Sequence, residues 1–119
     1  MRILIAEDNP MMRGYLVRLM APFSPVLREC GTGEQAVALF REFLPDVVLM
    51  DIQMPGIDGL DATRILTEEY PDARVLIVTE HGESSYRRRA SECGAAAFFL
   101  KDNLEAVCLY IAEHFTSAR

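Results

Sequence analysis

The feature that most constrains this chain is a regular alternation of short apolar runs with stretches of helical spacing. Five runs have the length of a strand: residues 3–6, 26–30, 47–50, 75–78 and 96–100. Each run is followed by a stretch in which apolar residues recur at helical intervals. This alternation is typical of βα units around a parallel sheet. We therefore predict an α/β fold with a doubly wound five-stranded parallel sheet and five helices, in which strands two, three and four are buried on both faces.

The predicted helices have recognisable ends. Asn9 and Pro10 suit the cap and the first turn of the first helix. Thr32 and Gln35 predict a capping box at the start of the second helix. Residues 83–92 are polar, and we expect them to form the fourth helix.

Length and charge exclude several classes of protein. A chain of 119 residues with 50% hydrophobic residues suits a single domain that can bury a core without metal or disulfide links. Its net charge of −6 argues against direct contact with nucleic acid or an anionic membrane. Its three cysteines lack the spacing of a metal or dithiol site, which predicts free, buried thiols. We see no signal peptide or membrane anchor, and we expect a cytoplasmic protein.

Polar side chains follow the predicted strands at their carboxyl ends. Glu7 and Asp8 come after the first strand, and Asp51 comes after the third. Thr79 follows the fourth strand and Lys101 the fifth. In open α/β sheets the ligand site lies beyond these strand ends. We therefore expect three carboxylates, a hydroxyl and an ammonium group to converge there.

These carboxylates need compensating charge. Like charges 4 Å apart repel by roughly 4 kcal/mol per pair at an effective dielectric constant of 20. Lys101 supplies one positive charge, and an all-oxygen site of this kind suits Mg²⁺ for the remainder. With both in place, the carboxylate of Asp51 can attack phosphorus to give an aspartyl phosphate. The hydroxyl of Thr79 could then donate to the new phosphoryl oxygens.

These residues match the pattern of a known family. The chain resembles the receiver domains of two-component response regulators through Glu7 and Asp8, residues 47–59, Thr79 and residues 98–101. The resemblance implies a flavodoxin-like fold with strand order 2-1-3-4-5. It also implies one receiver domain over residues 1–119, with no output domain in this chain.

The resemblance assigns roles to the acidic residues. Asp51 would accept a phosphoryl group from the phosphohistidine of a sensor histidine kinase or phosphotransfer protein, or from a small phosphodonor. Asp8, Asp51 and the backbone carbonyl of Gln53 would hold Mg²⁺, and Glu7 would bind it through water. Such a domain is a phosphoacceptor switch with self-catalysed phosphorylation and dephosphorylation, and not an enzyme that turns over a substrate.

The resemblance also implies how the switch is read. Asp51, Thr79 and Lys101 would carry the phosphoryl chemistry, and Thr79 and Phe98 would be the switch hydroxyl and the switch aromatic. The surface of the fourth helix and fifth strand would then change its contacts with a second receiver or an output domain. Transcription is the expected output.

The chain departs from the family pattern at two positions. Glu80 follows Thr79 where a small residue is usual, so we expect slow phosphorylation by small donors. Asp102 follows Lys101 where a proline after a cis bond is common, which requires either a rerouted loop or a strained cis bond. A lysine followed by a residue other than proline resembles regulators of the LuxR/NarL type.

Several alternatives stay open. A haloacid-dehalogenase enzyme would need an aspartate at Gln53, and a flavodoxin-like electron carrier would not have acids at residues 7 and 8. A stand-alone phosphorelay receiver, or a scaffold that is never phosphorylated, fits the same fold. The sequence does not identify the cognate kinase or the regulated genes. It also does not give the phosphoryl lifetime, the oligomeric state or whether an output domain follows Arg119.

Overall fold

The computed structural model describes residues 1–24 and 26–115. In this part of the chain the strands are β1 (Arg2–Ala6), β2 (Val26–Cys30), β3 (Val47–Met50), β4 (Val75–Thr79) and β5 (Ala97–Leu100). The α-helices are α1 (Pro10–Met20), α2 (Gly33–Phe43), α3 (Gly59–Glu69), α4 (Ser84–Glu92) and α5 (Leu104–His114). A short 3₁₀ helix, Ala21–Phe23, follows α1. The domain boundary that we predicted at residue 119 lies outside the described residues.

The strands form a parallel sheet in the order β2-β1-β3-β4-β5, which confirms the predicted fold. Ala6 at the end of β1 lies beside Met50 at the end of β3. The residues that follow them, Glu7 and Asp51, therefore leave the sheet side by side.

Helices cover both faces of the sheet, because alternate strand residues point to opposite sides. Leu4 packs in one apolar cluster with α2 and α3, whereas Ile3 packs in a second cluster with α1 and α5. β3 and β4 are fully buried, as expected. Our expectation for the second strand was wrong: in β2 only Cys30 is buried, since this strand is at the sheet edge and has one neighbouring strand.

The helix caps agree with the sequence in part. The side chain of Asn9 accepts a hydrogen bond from the backbone N–H of Met12 at 3.0 Å, as expected of a cap. Thr32 Oγ1 likewise accepts from the N–H of Gln35 at 3.1 Å. However, Gln35 Oε1 accepts from the N–H of Gly31 and not from that of Thr32, so the predicted capping box is not closed. Among the described helices, none has the length and apolar character needed to cross a membrane.

Candidate functional site

A polar cavity of about 430 Å³ opens at the carboxyl ends of the strands. It is lined by Glu7, Asp8, Asn9, Pro10, Asp51, Gln53, Glu80, His81 and Lys101. Five of the seven residues that we predicted for the site, Glu7, Asp8, Asp51, Gln53 and Lys101, are in this lining. The other two, Thr79 and Phe98, do not line it.

Three carboxylates meet at one side of the cavity. Glu7, Asp8 and Asp51 each offer an oxygen atom, and these oxygens lie within 4.8 Å of one another. Glu7 is 1% exposed and Asp51 is 6% exposed, whereas Asp8 faces solvent. Burial raises the pKa of Glu7 and the charge of Asp51 raises it further, although the close ammonium group of Lys101 opposes both. A close, all-oxygen set of this kind fits Mg²⁺.

Lys101 bridges the two buried carboxylates of this cluster. Its Nζ atom lies 2.8 Å from Oε1 of Glu7 and 3.0 Å from Oδ2 of Asp51. Burial alone would lower the pKa of Lys101, but the close carboxylates of Glu7 and Asp51 outweigh it and raise this pKa. The side chain is therefore a charged ammonium group inside the protein.

The carboxylate of Asp51 is held at both oxygens. Oδ1 accepts a hydrogen bond from the N–H of Ile52 at 2.8 Å, and Oδ2 accepts one from Nζ of Lys101. The backbone N–H of Asp51 donates to the carbonyl of Ala6 at 3.0 Å. Gly59 at the start of α3 approaches closely, since a Cβ atom there would lie 1.8 Å from the carbonyl oxygen of Asp51. Two hydrogen bonds thus orient the carboxylate itself, and the contacts with Ala6 and Gly59 hold the backbone that carries it.

Neither Thr79 nor Phe98 lines the cavity. Thr79 is fully buried, and its Oγ1 accepts a hydrogen bond from the N–H of His81 at 3.2 Å. Its carbonyl accepts from the N–H of Lys101 at 2.8 Å, which connects it to the site through the backbone. Phe98 is half-buried in β5, with the guanidinium group of Arg87 at 4.6 Å from the ring centroid.

The two departures from the family pattern have clear positions. Glu80 is exposed, lines the main cavity, and with Leu100, Lys101 and Asp102 lines a second one of about 210 Å³. No peptide bond among the described residues is cis, so the bond between Lys101 and Asp102 is trans. Of the two possibilities for this loop, the strained cis bond is therefore excluded.

Sequence reasoning missed some residues around the site. Asn9 and Pro10 were recognised only as helix-start residues, yet both line the cavity. The backbone N–H of Asn9 donates to Oε2 of Glu7 at 3.1 Å, and Nη1 of Arg13 donates to the carbonyl of Glu7 at 2.8 Å. The position of Asn9 next to the acidic pair was an available signal, whereas no sequence pattern distinguished Arg13 from other helix arginines.

Comparison with known proteins identifies the family. The sequence model of the family "Response regulator receiver domain" matches residues 3–111 of this chain. The response regulator GacA of Pseudomonas aeruginosa is 36% identical over 121 aligned residues, which cover 99% of this chain and 56% of that protein. Further curated relatives are named as a transcriptional regulatory protein and a transcriptional activator protein. This chain spans about half the length of these relatives.

Solved structures agree with this result. A two-component response regulator of the LuxR family from Aurantimonas sp. SI85-9A1 is 33% identical, with a TM-score of 0.85, and the match covers 94% of this chain and 81% of the other. The signal receiver domain of a NarL response regulator from Mycobacterium tuberculosis is 31% identical, with a TM-score of 0.82, over 95% and 96% of the two chains. The chain therefore belongs to the receiver domains of two-component response regulators, and the resemblance to the LuxR/NarL type is confirmed.

Proposed function

We propose that Asp51 accepts a phosphoryl group in a Mg²⁺-dependent reaction that the domain itself catalyses. The observation that carries this proposal is the buried Lys101 ammonium group, which bridges Glu7 and Asp51 inside a cluster of three carboxylates. An ammonium group at 3.0 Å from Asp51 Oδ2 is close enough to neutralise phosphoryl oxygens that arrive on this carboxylate. The donor is the phosphohistidine of a sensor histidine kinase or phosphotransfer protein, or a small acyl phosphate.

In the transfer, an oxygen of Asp51 forms a bond to phosphorus while the bond from phosphorus to the donor breaks. The electron pair of the broken bond leaves with the donor, on the imidazole nitrogen in the case of phosphohistidine. Asp8, Asp51 and the carbonyl of Gln53 would hold Mg²⁺, with Glu7 binding it through water, and the ion would neutralise negative charge on the phosphoryl oxygens. Lys101 compensates the remaining charge, and the N–H of Ile52 keeps the carboxylate oriented.

Phosphorylation would change the hydrogen bonding of Thr79. A phosphoryl group adds about −1.5 to −2 charges and strong acceptor oxygens. The hydroxyl of Thr79, which now accepts from the N–H of His81, would turn to donate to these oxygens. Phe98 would follow this movement and alter the surface of α4 and β5. A shift from mostly inactive to mostly active needs about 5.5 kcal/mol, which a few charge-assisted hydrogen bonds can supply.

The partners follow from this role. The curated relatives are about twice as long as the matched part. Two of them are named as a transcriptional regulatory protein and a transcriptional activator protein. We therefore propose that the switched surface acts on an output domain or a second receiver, and that the response is a change in transcription. DNA contact would belong to the output domain, since this chain is acidic.

A kinase that obtains its phosphoryl group from ATP works in the cytoplasm, and we propose that location for the receiver too.

Intact-mass measurement tests the phosphoacceptor. The protein should gain the mass of one phosphoryl group when incubated with acetyl phosphate and MgCl₂, and should gain none when the metal is chelated. Asp51→Asn should abolish the gain, whereas Asp72→Asn, which changes an exposed carboxylate in the turn before β4, should leave it unchanged. Failure of the native chain to gain mass would favour a scaffold that is never phosphorylated. Equal labelling of Asp51→Asn would instead mean that another residue accepts the phosphoryl group, and would refute the assignment of Asp51.

A further inference from the structure

Arg13 in α1 connects three elements next to the acidic cluster. Its Nη1 atom donates to the backbone carbonyl of Glu7, at the end of β1, at 2.8 Å. Its Nε atom donates to Oε1 of Glu29, in β2, at 3.2 Å. The Arg13 side chain is 25% exposed, so most of it is packed inside the protein. The residue therefore links the first helix to the ends of two strands.

The guanidinium group occupies a narrow space beside Gly31. A Cβ atom at Gly31 would lie 3.1 Å from Nη1 of Arg13, which is closer than side chains normally approach. The position of Gly31 is itself held, because its N–H donates to Oε1 of Gln35 in α2 at 3.0 Å. Arg13 thus rests against a fixed neighbour, which limits the positions of its guanidinium group.

The carbonyl that Arg13 binds belongs to the peptide unit between Glu7 and Asp8. The N–H of Glu7 donates to the carbonyl of Cys30 at 3.0 Å, and Oε2 of Glu7 accepts from the N–H of Asn9 at 3.1 Å. With the bond from Arg13, the backbone of Glu7 is fixed on both sides. The plane of this peptide unit sets the separation between the carboxylates of Glu7 and Asp8.

We infer that Arg13 is a positioning residue for the acidic pair and thereby strengthens Mg²⁺ binding, an inference that rests on the proposed function. The charge of Arg13 by itself has the opposite effect, because a cation near the cluster repels Mg²⁺. Removal of the side chain therefore discriminates between the two roles. If Arg13 positions the acids, its loss weakens Mg²⁺ binding; if it acts only through charge, its loss strengthens binding.

Thermal unfolding in increasing MgCl₂ measures this affinity. A cation that binds only the folded protein raises the melting temperature with concentration, and the dependence gives its Kd even for a variant that is less stable. We expect Arg13→Met to weaken Mg²⁺ binding by roughly tenfold, at the lower end of the range for residues that orient metal ligands. Arg13→Lys keeps the charge but cannot make both contacts, and it should lose less affinity for Mg²⁺ than Arg13→Met does. Arg18→Met makes the same charge change at an exposed position of α1 and should not weaken binding.

The inference is overturned if Arg13→Met binds Mg²⁺ as tightly as the native chain or more tightly. Should Arg13→Met not fold, Arg13→Lys decides in its place, and an affinity equal to that of the native chain overturns the inference. A native chain whose melting temperature does not respond to MgCl₂ would instead contradict the proposed function. The two failures are therefore distinguishable.

Discussion

Replacement of Lys101 by methionine should destabilise the protein strongly when Mg²⁺ is absent. Nζ lies 2.8 and 3.0 Å from carboxylate oxygens of Glu7 and Asp51, and the side chain is 9% exposed. At an effective dielectric constant of 20, each contact corresponds to about 6 kcal/mol of attraction, most of which offsets the cost of desolvating the charges. Removal of one partner of a buried pair costs about 3–5 kcal/mol. Because the cavity admits solvent, we expect about 3 kcal/mol.

Urea unfolding of metal-free protein at low salt, followed by circular dichroism, measures this loss. For a chain of this size, it corresponds to a decrease of about 10 °C in the melting temperature. Arg41→Met is the matched control, since Arg41 binds Glu69 through two short bonds of 2.7 and 2.9 Å but in an exposed position. Exposed pairs contribute little, and this variant should remain close to the native chain.

A Lys101→Met variant that loses no more stability than Arg41→Met would contradict this expectation. That outcome would mean that the carboxylates of Glu7 and Asp51 are solvated or protonated well enough to need no ammonium partner. It would also remove the main physical support for a charged Lys101 at the site.

Three further perturbations follow from the structure. Glu80→Ala should speed the labelling of Asp51 by acetyl phosphate about two- to fivefold, because the carboxylate at the cavity repels an anionic donor; a mass time course measures the rate. Gly59→Ala should cost more than about 2 kcal/mol of stability, since the new Cβ would meet the carbonyl of Asp51 at 1.8 Å. Gly14→Ala, in an uncrowded position of α1, should instead raise the stability by about 1 kcal/mol, and thermal unfolding compares the two variants. Burial raises the pKa of Cys30 to about 11. Iodoacetamide should therefore alkylate this thiol about 100-fold more slowly at pH 8 in the folded chain than in urea, because only the thiolate reacts. The rate in the folded chain should rise with pH, and peptide mapping measures it.

Each of these predictions has a result that contradicts it. Equal labelling rates for Glu80→Ala and the native chain would show that the carboxylate does not impede the donor, and Glu80→Gln separates its charge from its size. If Gly59→Ala is as stable as Gly14→Ala, the backbone at the end of β3 must move away from the new Cβ atom without loss of stability. Alkylation of Cys30 at the same rate in folded and unfolded protein would show that burial does not disfavour the thiolate form of this residue.

Much of the site could be expected from the sequence, because its residues directly follow apolar runs. The carboxyl ends of parallel strands share one edge of a sheet, so Glu7, Asp51 and Lys101 had to come near one another once the runs were recognised. The cap at Asn9 was equally readable, since its partner is three residues away. Such features depend on neighbours along the chain.

Other features depend on residues that are distant in sequence. The exposure of β2 reflects its place at the sheet edge, and the composition of the strand does not reveal that place. The close approach of Gly59 to the carbonyl of Asp51 requires the packing of α3 against the end of β3. The contacts of Arg13 with Glu7 and Glu29 join residues from three separate elements.

The sequence by itself determined the α/β class, the receiver family and the residue types at the strand ends, because periodicity and motifs are properties of local stretches. Only the tertiary structure decided which carboxylates Lys101 bridges, and that Thr79 is buried with its Oγ1 accepting from a backbone N–H. Those outcomes depend on strand register and on the packing of helices against the sheet. Both are set by the simultaneous burial of apolar side chains from the whole domain, which no short segment encodes.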